Sequence, residues 1–181
     1  MAINERAVCL EVVNDIKTLY PRDWAYKIPD TGGAPGTNRP FDIVWCRGGL
    51  TIGLEMKAMR APSVSINSLP EHQMEALIKV IGAGGMGMYG FWINKVFPSR
   101  RKFMMERFEP GIRINKSMEL SLNAILLISS NTLRKKFAKK NTLSIEDLSQ
   151  DNDMIVYRKK ILVTKRKNIL NKTFWDFRTF L

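Results

Sequence analysis

Residues 41–57 read FDIVWCRGGLTIGLEMK. Two strand-like runs, residues 41–46 and 50–57, flank Arg47-Gly48-Gly49. Paired glycines suit a two-residue hairpin turn in which both residues adopt positive φ. With Gly48 and Gly49 as the turn, Arg47 faces Leu50, Cys46 faces Thr51 and Val44 faces Gly53; carried one rung further, the ladder sets Asp42 opposite Glu55. Directly opposed residues have Cβ atoms roughly 4.5–5.5 Å apart, where like charges repel. Two carboxylates that close need a shared proton or a cation, and a divalent ion with oxygen ligands meets the need. Lys57 follows on the same face, roughly 6.5–7 Å further along. An ammonium there can hold an attacking water or offset charge on a phosphate. Ile52, Leu54 and Met56 alternate to the other, apolar side.

Upstream, residues 4–20 read as an amphipathic helix, with Asn4 as N-cap, an apolar stripe of Val8, Val12, Ile16 and Leu19, and Pro21 as the stop. On a helical wheel Glu5 lies within roughly 20° of Val12 and Ile16, so it points with the stripe toward the sheet, whereas Glu11 lies about 100° from Val12 and faces solvent. A carboxylate on the buried side of a helix needs a partner. Glu5 is therefore expected to join Asp42 and Glu55 as a metal ligand. Residues 29–40, rich in Gly, Pro, Asn and Thr, read as a loop.

Downstream, residues 58–68 form a second loop. Ser68-Leu69-Pro70-Glu71 then has the form of a capping box opening a helix with apolar Leu69, Met74, Leu77, Ile78 and Ile81. Gln73 falls in its first turn, facing the sheet, and His72 beside it is expected near the nucleic acid. Gly82-Ala83-Gly84-Gly85-Met86-Gly87 matches the letters G-x-G-x-x-G. A dinucleotide site needs strand, glycines, then helix; here a helix precedes and a strand follows, so the glycines read as a stop and turn. Residues 88–96 and 102–108 are expected as two more strands. Further on, residues 120–128 suit a strand or buried helix, 132–140 a short basic helix, and 144–148 a helical turn. Residues 155–164 read as a strand pair broken by Arg158-Lys159-Lys160, and Phe174, Trp175, Phe177 and Phe180 give an aromatic C-terminus. The order predicts an α/β fold, a mixed sheet flanked by helices. A core over residues 1–115 would be followed by a basic extension over 116–181, serving nucleic-acid binding, dimerisation or both, either separate from the core or continuous with it.

The charge distribution supports that division. The chain has 181 residues and a net charge of +12. Residues 1–94 hold nine Lys/Arg against nine Asp/Glu, leaving twenty against eight for the remainder. An excess concentrated in one half costs self-repulsion unless a polyanion meets it. Arg100-Arg101-Lys102, Arg134-Lys135-Lys136, Lys139-Lys140, Arg158-Lys159-Lys160 and Lys165-Arg166-Lys167 are candidate phosphate contacts, and Arg39 and Arg60, beside the acidic motif, are counted with them. The N-terminus, with Glu5, Glu11 and Asp15, does not read as a signal peptide, and no apolar run is long enough to span a bilayer. Cys9 and Cys46 are then expected as reduced thiols in an intracellular protein.

Phe41-Asp42 followed by Glu55-Met56-Lys57 is similar to the motif of the PD-(D/E)xK nucleases. Leu54 to Lys57, the polar loop, and Leu69-Pro70-Glu71-His72-Gln73-Met74-Glu75 resemble RecU-type Holliday junction resolvases. Asn4-Glu5-Arg6 resembles the N-terminal helix glutamate of that group and of Hjc-type resolvases. The resemblance spans residues 3–96. It implies a restriction-endonuclease-like fold, a homodimer, and Mg²⁺- or Mn²⁺-dependent nicking of paired strands at a four-way DNA junction. It further implies that Glu5, Asp42 and Glu55 hold metal while Lys57 and Gln73 position water or phosphate. Two other readings compete: a restriction-type or repair endonuclease acting on duplex or flap DNA, and a non-catalytic nucleic-acid-binding protein.

Overall fold

A computed structural model of the chain describes residues 4–29, 38–108, 124–149, 154–165, 168–175 and 177. Helix α1 (Glu5–Leu19) begins at Asn4, whose side chain accepts from the Ala7 amide at 3.2 Å. Strand β1 (Trp24–Lys27) comes next, unforeseen in the sequence, followed by the hairpin of β2 (Ile43–Arg47) and β3 (Leu50–Ala58). Its turn residues Gly48 and Gly49 have φ of 53° and 85°, as a primed turn requires. The pairs Arg47–Leu50, Cys46–Thr51 and Val44–Gly53 form as expected, ending at Ile43–Leu54. The chain continues through β4 (Ser63–Ser65), a 3₁₀ turn (Ile66–Ser68), α2 (Glu71–Gly82), β5 (Met86–Ile93), a second 3₁₀ turn (Pro98–Arg100) and α3 (Arg101–Phe108). After residues 109–123, which lie outside the described residues, come β6 (Ala124–Ser129), α4 (Ser130–Phe137), β7 (Thr142–Ser144), α5 (Ile145–Leu148), β8 (Met154–Lys165) and β9 (Asn168–Trp175).

Among the described residues the main sheet has seven strands, in the order β1-β2-β3-β5-β6-β8-β9. Only β3 and β5 run parallel, joined by the α2 crossover; the other neighbours are antiparallel, so the sheet is mixed. β4 and β7 form a small separate ribbon. Side chains alternate along each strand and feed two cores. On one face Ile43, Trp45, Ile52, Leu54 and Met56 meet Val8, Val12 and Ile16 of α1, together with Trp175 and Phe177. On the other, Tyr89, Phe91, Leu126 and Ile128 meet Leu77 of α2 and Leu133 and Phe137 of α4. An α/β fold with a mixed sheet between helices is therefore what the sequence encodes. The boundary expected near residue 115 falls in the undescribed stretch, and beyond it β6 hydrogen-bonds directly to β5.

Several local expectations fail. Residues 102–108 are helical: Met104 and Met105 are buried and the Phe97 amide bonds to Met104 Sδ at 3.3 Å. The apolar residues there are adjacent rather than alternating, a pattern that suits a helix on a core better than a half-buried strand. The Ser68 capping box does not form. Ser68 belongs to the 3₁₀ turn, its hydroxyl bonded to the Ser65 carbonyl, and α2 starts after Pro70 without a side-chain cap. Proline presets the backbone so that the helix begins two residues later than the S-x-x-E spacing needs. A true capping box lies at Ser144 and Asp147 of α5. Residues 154–165 are one strand, since the ladder to β9 runs unbroken through Arg158, Lys159 and Lys160. The loop residues 30–37, the pair Arg166-Lys167 and Phe180 lie outside the described residues, as do the side chains of Arg158, Lys159, Lys160, Lys165 and Phe174.

Candidate active site

The centre forms where β2 begins, beside the carboxyl half of β3. Asp42 immediately precedes β2. Its Oδ2 accepts from the Met56 amide at 2.8 Å, which ties it to the β3 residue next to Glu55. Arg39 Nη2 meets its other oxygen at 2.6 Å. Glu55 has no exposed surface, although β3 exposes its neighbour Lys57 to about a fifth. Glu55 Oε1 meets Lys57 Nζ at 2.7 Å as an ion pair, and Oε2 has no hydrogen-bond partner. Lys57 Nζ also donates to Gln73 Oε1 at 3.2 Å. Gln73 is buried in the first turn of α2, which places it over the carboxyl end of β3, the end at which parallel α/β units bind ligands.

Burial pushes the Glu55 carboxyl up to about 7, and the Asp42 charge adds to the rise while Lys57 opposes it. Removing a carboxylate from water disfavours its charge, and a second anion beside it does the same. Tyr89, paired with Glu55 across the β3–β5 ladder, is fully buried with its hydroxyl unpartnered; burial, then the Glu55 charge, raises its titration. Cys9 lies below on α1, where burial and then Asp42 keep its thiol protonated.

The other sequence candidates separate into groups. Glu5 Oε1 accepts from the Ala58 amide at 2.8 Å, at the same carboxyl end of β3 one residue past Lys57. It lines a cavity of about 330 Å³ together with Lys57 and Arg60. Among the described residues, no three or more His, Cys, Asp or Glu side chains gather into a metal cluster, so the structure joins Asp42 to Glu55 without bringing Glu5 into the same group. Arg39 is engaged by Asp42. His72 is exposed at the start of α2. Arg100 pairs with Glu146 at 2.8 Å, and Arg101 and Lys102 line the same surface hollow. Lys135, Lys136, Lys139 and Lys140 rim a second hollow on α4, where Lys140 meets Asp147 at 2.7 Å. α4 packs beside α2, on the same side of the sheet as Lys57 and Gln73. Arg134 is exposed on that helix.

The residue set is chemically fit for a hard divalent cation. All its donors are carboxylate oxygens, and one of them, buried, lacks a partner. Each carboxylate also meets a protein cation, Arg39 on Asp42 and Lys57 on Glu55.

No family model matches this sequence. No curated protein matches it either. Among solved structures it is similar to that of Hjc from Archaeoglobus fulgidus, a Holliday junction resolvase from an archaeal hyperthermophile. The match has 15% identity, covers 71% of this chain and 75% of that one, and has a TM-score of 0.37. At that score the backbones agree only loosely, and no residue role carries across.

The sequence did not flag Arg39 as the partner of Asp42. An i,i+3 Arg/Asp spacing was the available signal, but only the loop's return to β2 gives it meaning. Tyr89 was also missed, because its place beside Glu55 depends on the parallel register of β3 and β5.

Proposed function

We propose that the protein is a metal-dependent endonuclease acting on DNA, with four-way junctions as its substrate and a homodimer as its working form. One observation carries the nuclease part of this reading, the junction and dimer parts following from the sequence resemblance: Glu55 is wholly buried, has an unpartnered oxygen, lies beside Asp42, and shares its strand with Lys57. Arg39 and Lys57 each meet one of these carboxylates, yet the buried Glu55 Oε2 keeps no partner, and a divalent cation between the two acids would satisfy it.

Asp42 and Glu55 would hold Mg²⁺ or Mn²⁺, and Glu5 would complete the set by leaving the Ala58 amide. When bound, the ion supplies Lewis-acid charge to a phosphate and neutralises the carboxylates. The chain's own groups do the rest. Lys57, restrained by Gln73 Oε1 and Glu55 Oε1, keeps its ammonium where charge develops on the phosphoryl oxygens and where it can orient the attacking water. Arg60, on the same cavity wall, meets a neighbouring phosphate. Arg39, released from Asp42, becomes a further phosphate contact. Hydrolysis adds water across one P–O bond, and the departing strand end is held by the lysines of α4 and the cations of the Arg100 region.

The test compares nicking of a four-way junction with nicking of a matched linear duplex in Mg²⁺. Wild type should nick the junction preferentially. Asp42→Asn and Lys57→Met should each lower the rate by about 100-fold or more while junction binding stays within a few-fold. Equal cutting of duplex would transfer the reading to a duplex or flap endonuclease. Absence of nicking with any substrate or divalent metal would leave only nucleic-acid binding.

A further inference from the structure

β1 is an outer edge of the main sheet among the described residues, and it displays two aromatic rings. Trp24 is 55% exposed and Tyr26 46%. Their rings lie 6.1 Å apart and 13° from parallel. Ala25 between them is buried, so both rings project from one face. A lone exposed ring calls for no explanation, but a stacked pair forms a patch.

The register ties this patch to the carboxylate centre. Trp24 lies beside Cys46 and, across β2, Thr51; Tyr26 lies beside Val44 and then Gly53. The next rung has the Ile28 amide bonded to the Asp42 carbonyl at 2.8 Å, with Glu55 beyond on β3. By strand alternation this is also the face from which Glu55 and Lys57 project. Rungs two residues apart are spaced roughly 6.5–7 Å. Tyr26 therefore stands one rung, and Trp24 two rungs, from the acidic pair along the sheet, with Phe41 and Leu77 seated over Gly53 beside that path.

We propose that Trp24 and Tyr26 are a stacking platform for unpaired nucleobases of the strand whose phosphodiester reaches Asp42, Glu55 and Lys57. The proposal rests on the nuclease reading and narrows its substrate to junctions with unpaired nucleotides at the branch point beside the cut, for which a single-stranded flap serves as the probe. Local charge favours this occupant over an apolar protein surface: exposed Arg22 leads into the aromatic strand, and Lys57 and Arg60 line the cavity at the end of β3 beyond the acidic pair. An intact duplex keeps its base faces inside the stack and offers these rings nothing but backbone, whereas an unpaired base offers a π-face.

Binding is measured in EDTA with the full chain, using a labelled duplex bearing a ten-thymidine flap and a continuous duplex of equal length. Trp24→Ala and Tyr26→Ala should each weaken flap binding about fivefold or more, with duplex binding unchanged within about twofold and Trp24→Phe retaining most of the flap affinity. Unchanged flap binding, an equal loss on both substrates, or a fall in the free protein's sedimenting mass would each overturn the platform; the last would mean that a second copy covers the rings. Because no cleavage is involved, the two ideas fail separately. A chain that nicks nothing yet shows flap-selective loss keeps the platform and loses the nuclease, and nicking without flap-selective loss does the reverse.

Discussion

At the level of single residues, Glu55 matters most, because its ionisation works against the metal-free fold. Its carboxyl titrates near 7 in the folded chain against about 4.5 when unfolded, so the native state binds the extra proton between those values. The stability it contributes is fully present below about 4.5 and lost as pH rises through 7. In EDTA, Glu55→Gln should be more stable than wild type at pH 8 by on the order of 1–3 kcal/mol, and that advantage should vanish toward pH 5. Urea unfolding at the two pH values checks it. A variant less stable than wild type at pH 8 would make Glu55 an ordinary partner for Lys57. The meeting of Asp42 and Glu55 was legible beforehand, because the glycine turn sets hairpin register within one short stretch of chain. The depth of Glu55 was not, since burial is decided by β5 and α2 covering β3 from elsewhere.

At the level of elements, the glycine run after α2 does more than stop a helix. A Cβ on Gly87 would lie 2.1 Å from the Leu77 carbonyl oxygen, so α2 rests on β5 with no room for a side chain. Gly87→Ala should destabilise by roughly 2 kcal/mol or more. It should also weaken the action of Gln73, because α2 carries that residue over Lys57. Thermal unfolding gives the first effect, and nicking rate at saturating DNA the second. A near-wild-type melting temperature would mean that α2 can shift without loss. Sequence periodicity located α1, α2 and the hairpin because each has a long apolar repeat of its own. It failed at α3 and β1, which are short and owe their form to packing: Met104 enters a core already built, and β1 exists because β2 offers it an edge.

For the whole molecule, the two halves share one sheet and both of its cores. Asp15 of α1 accepts from the Trp175 amide at 2.9 Å across 160 residues of chain, and Trp175 and Phe177 pack beneath α1. Deleting residues 150–181 should therefore abolish cooperative unfolding rather than only weaken DNA binding, since losing a single buried Trp costs roughly 3–5 kcal/mol. Near-UV circular dichroism and urea unfolding of the truncated chain decide it. A sharp transition at the full-length midpoint would show the C-terminal half to be an appendage.

Residues 41–57 needed no help from the rest of the chain to state which acid faces which acid and which lysine follows, because turn geometry and strand alternation act between near neighbours. The charge asymmetry was equally plain from composition. Burial of Glu55, capture of Asp42 by Arg39, the position of Glu5 at Ala58 and the closure of α1 by the last strand were settled by contacts between distant segments. Closing such long loops leaves no periodic trace in the residues that flank them, so these features entered only when the strands took their places in the sheet.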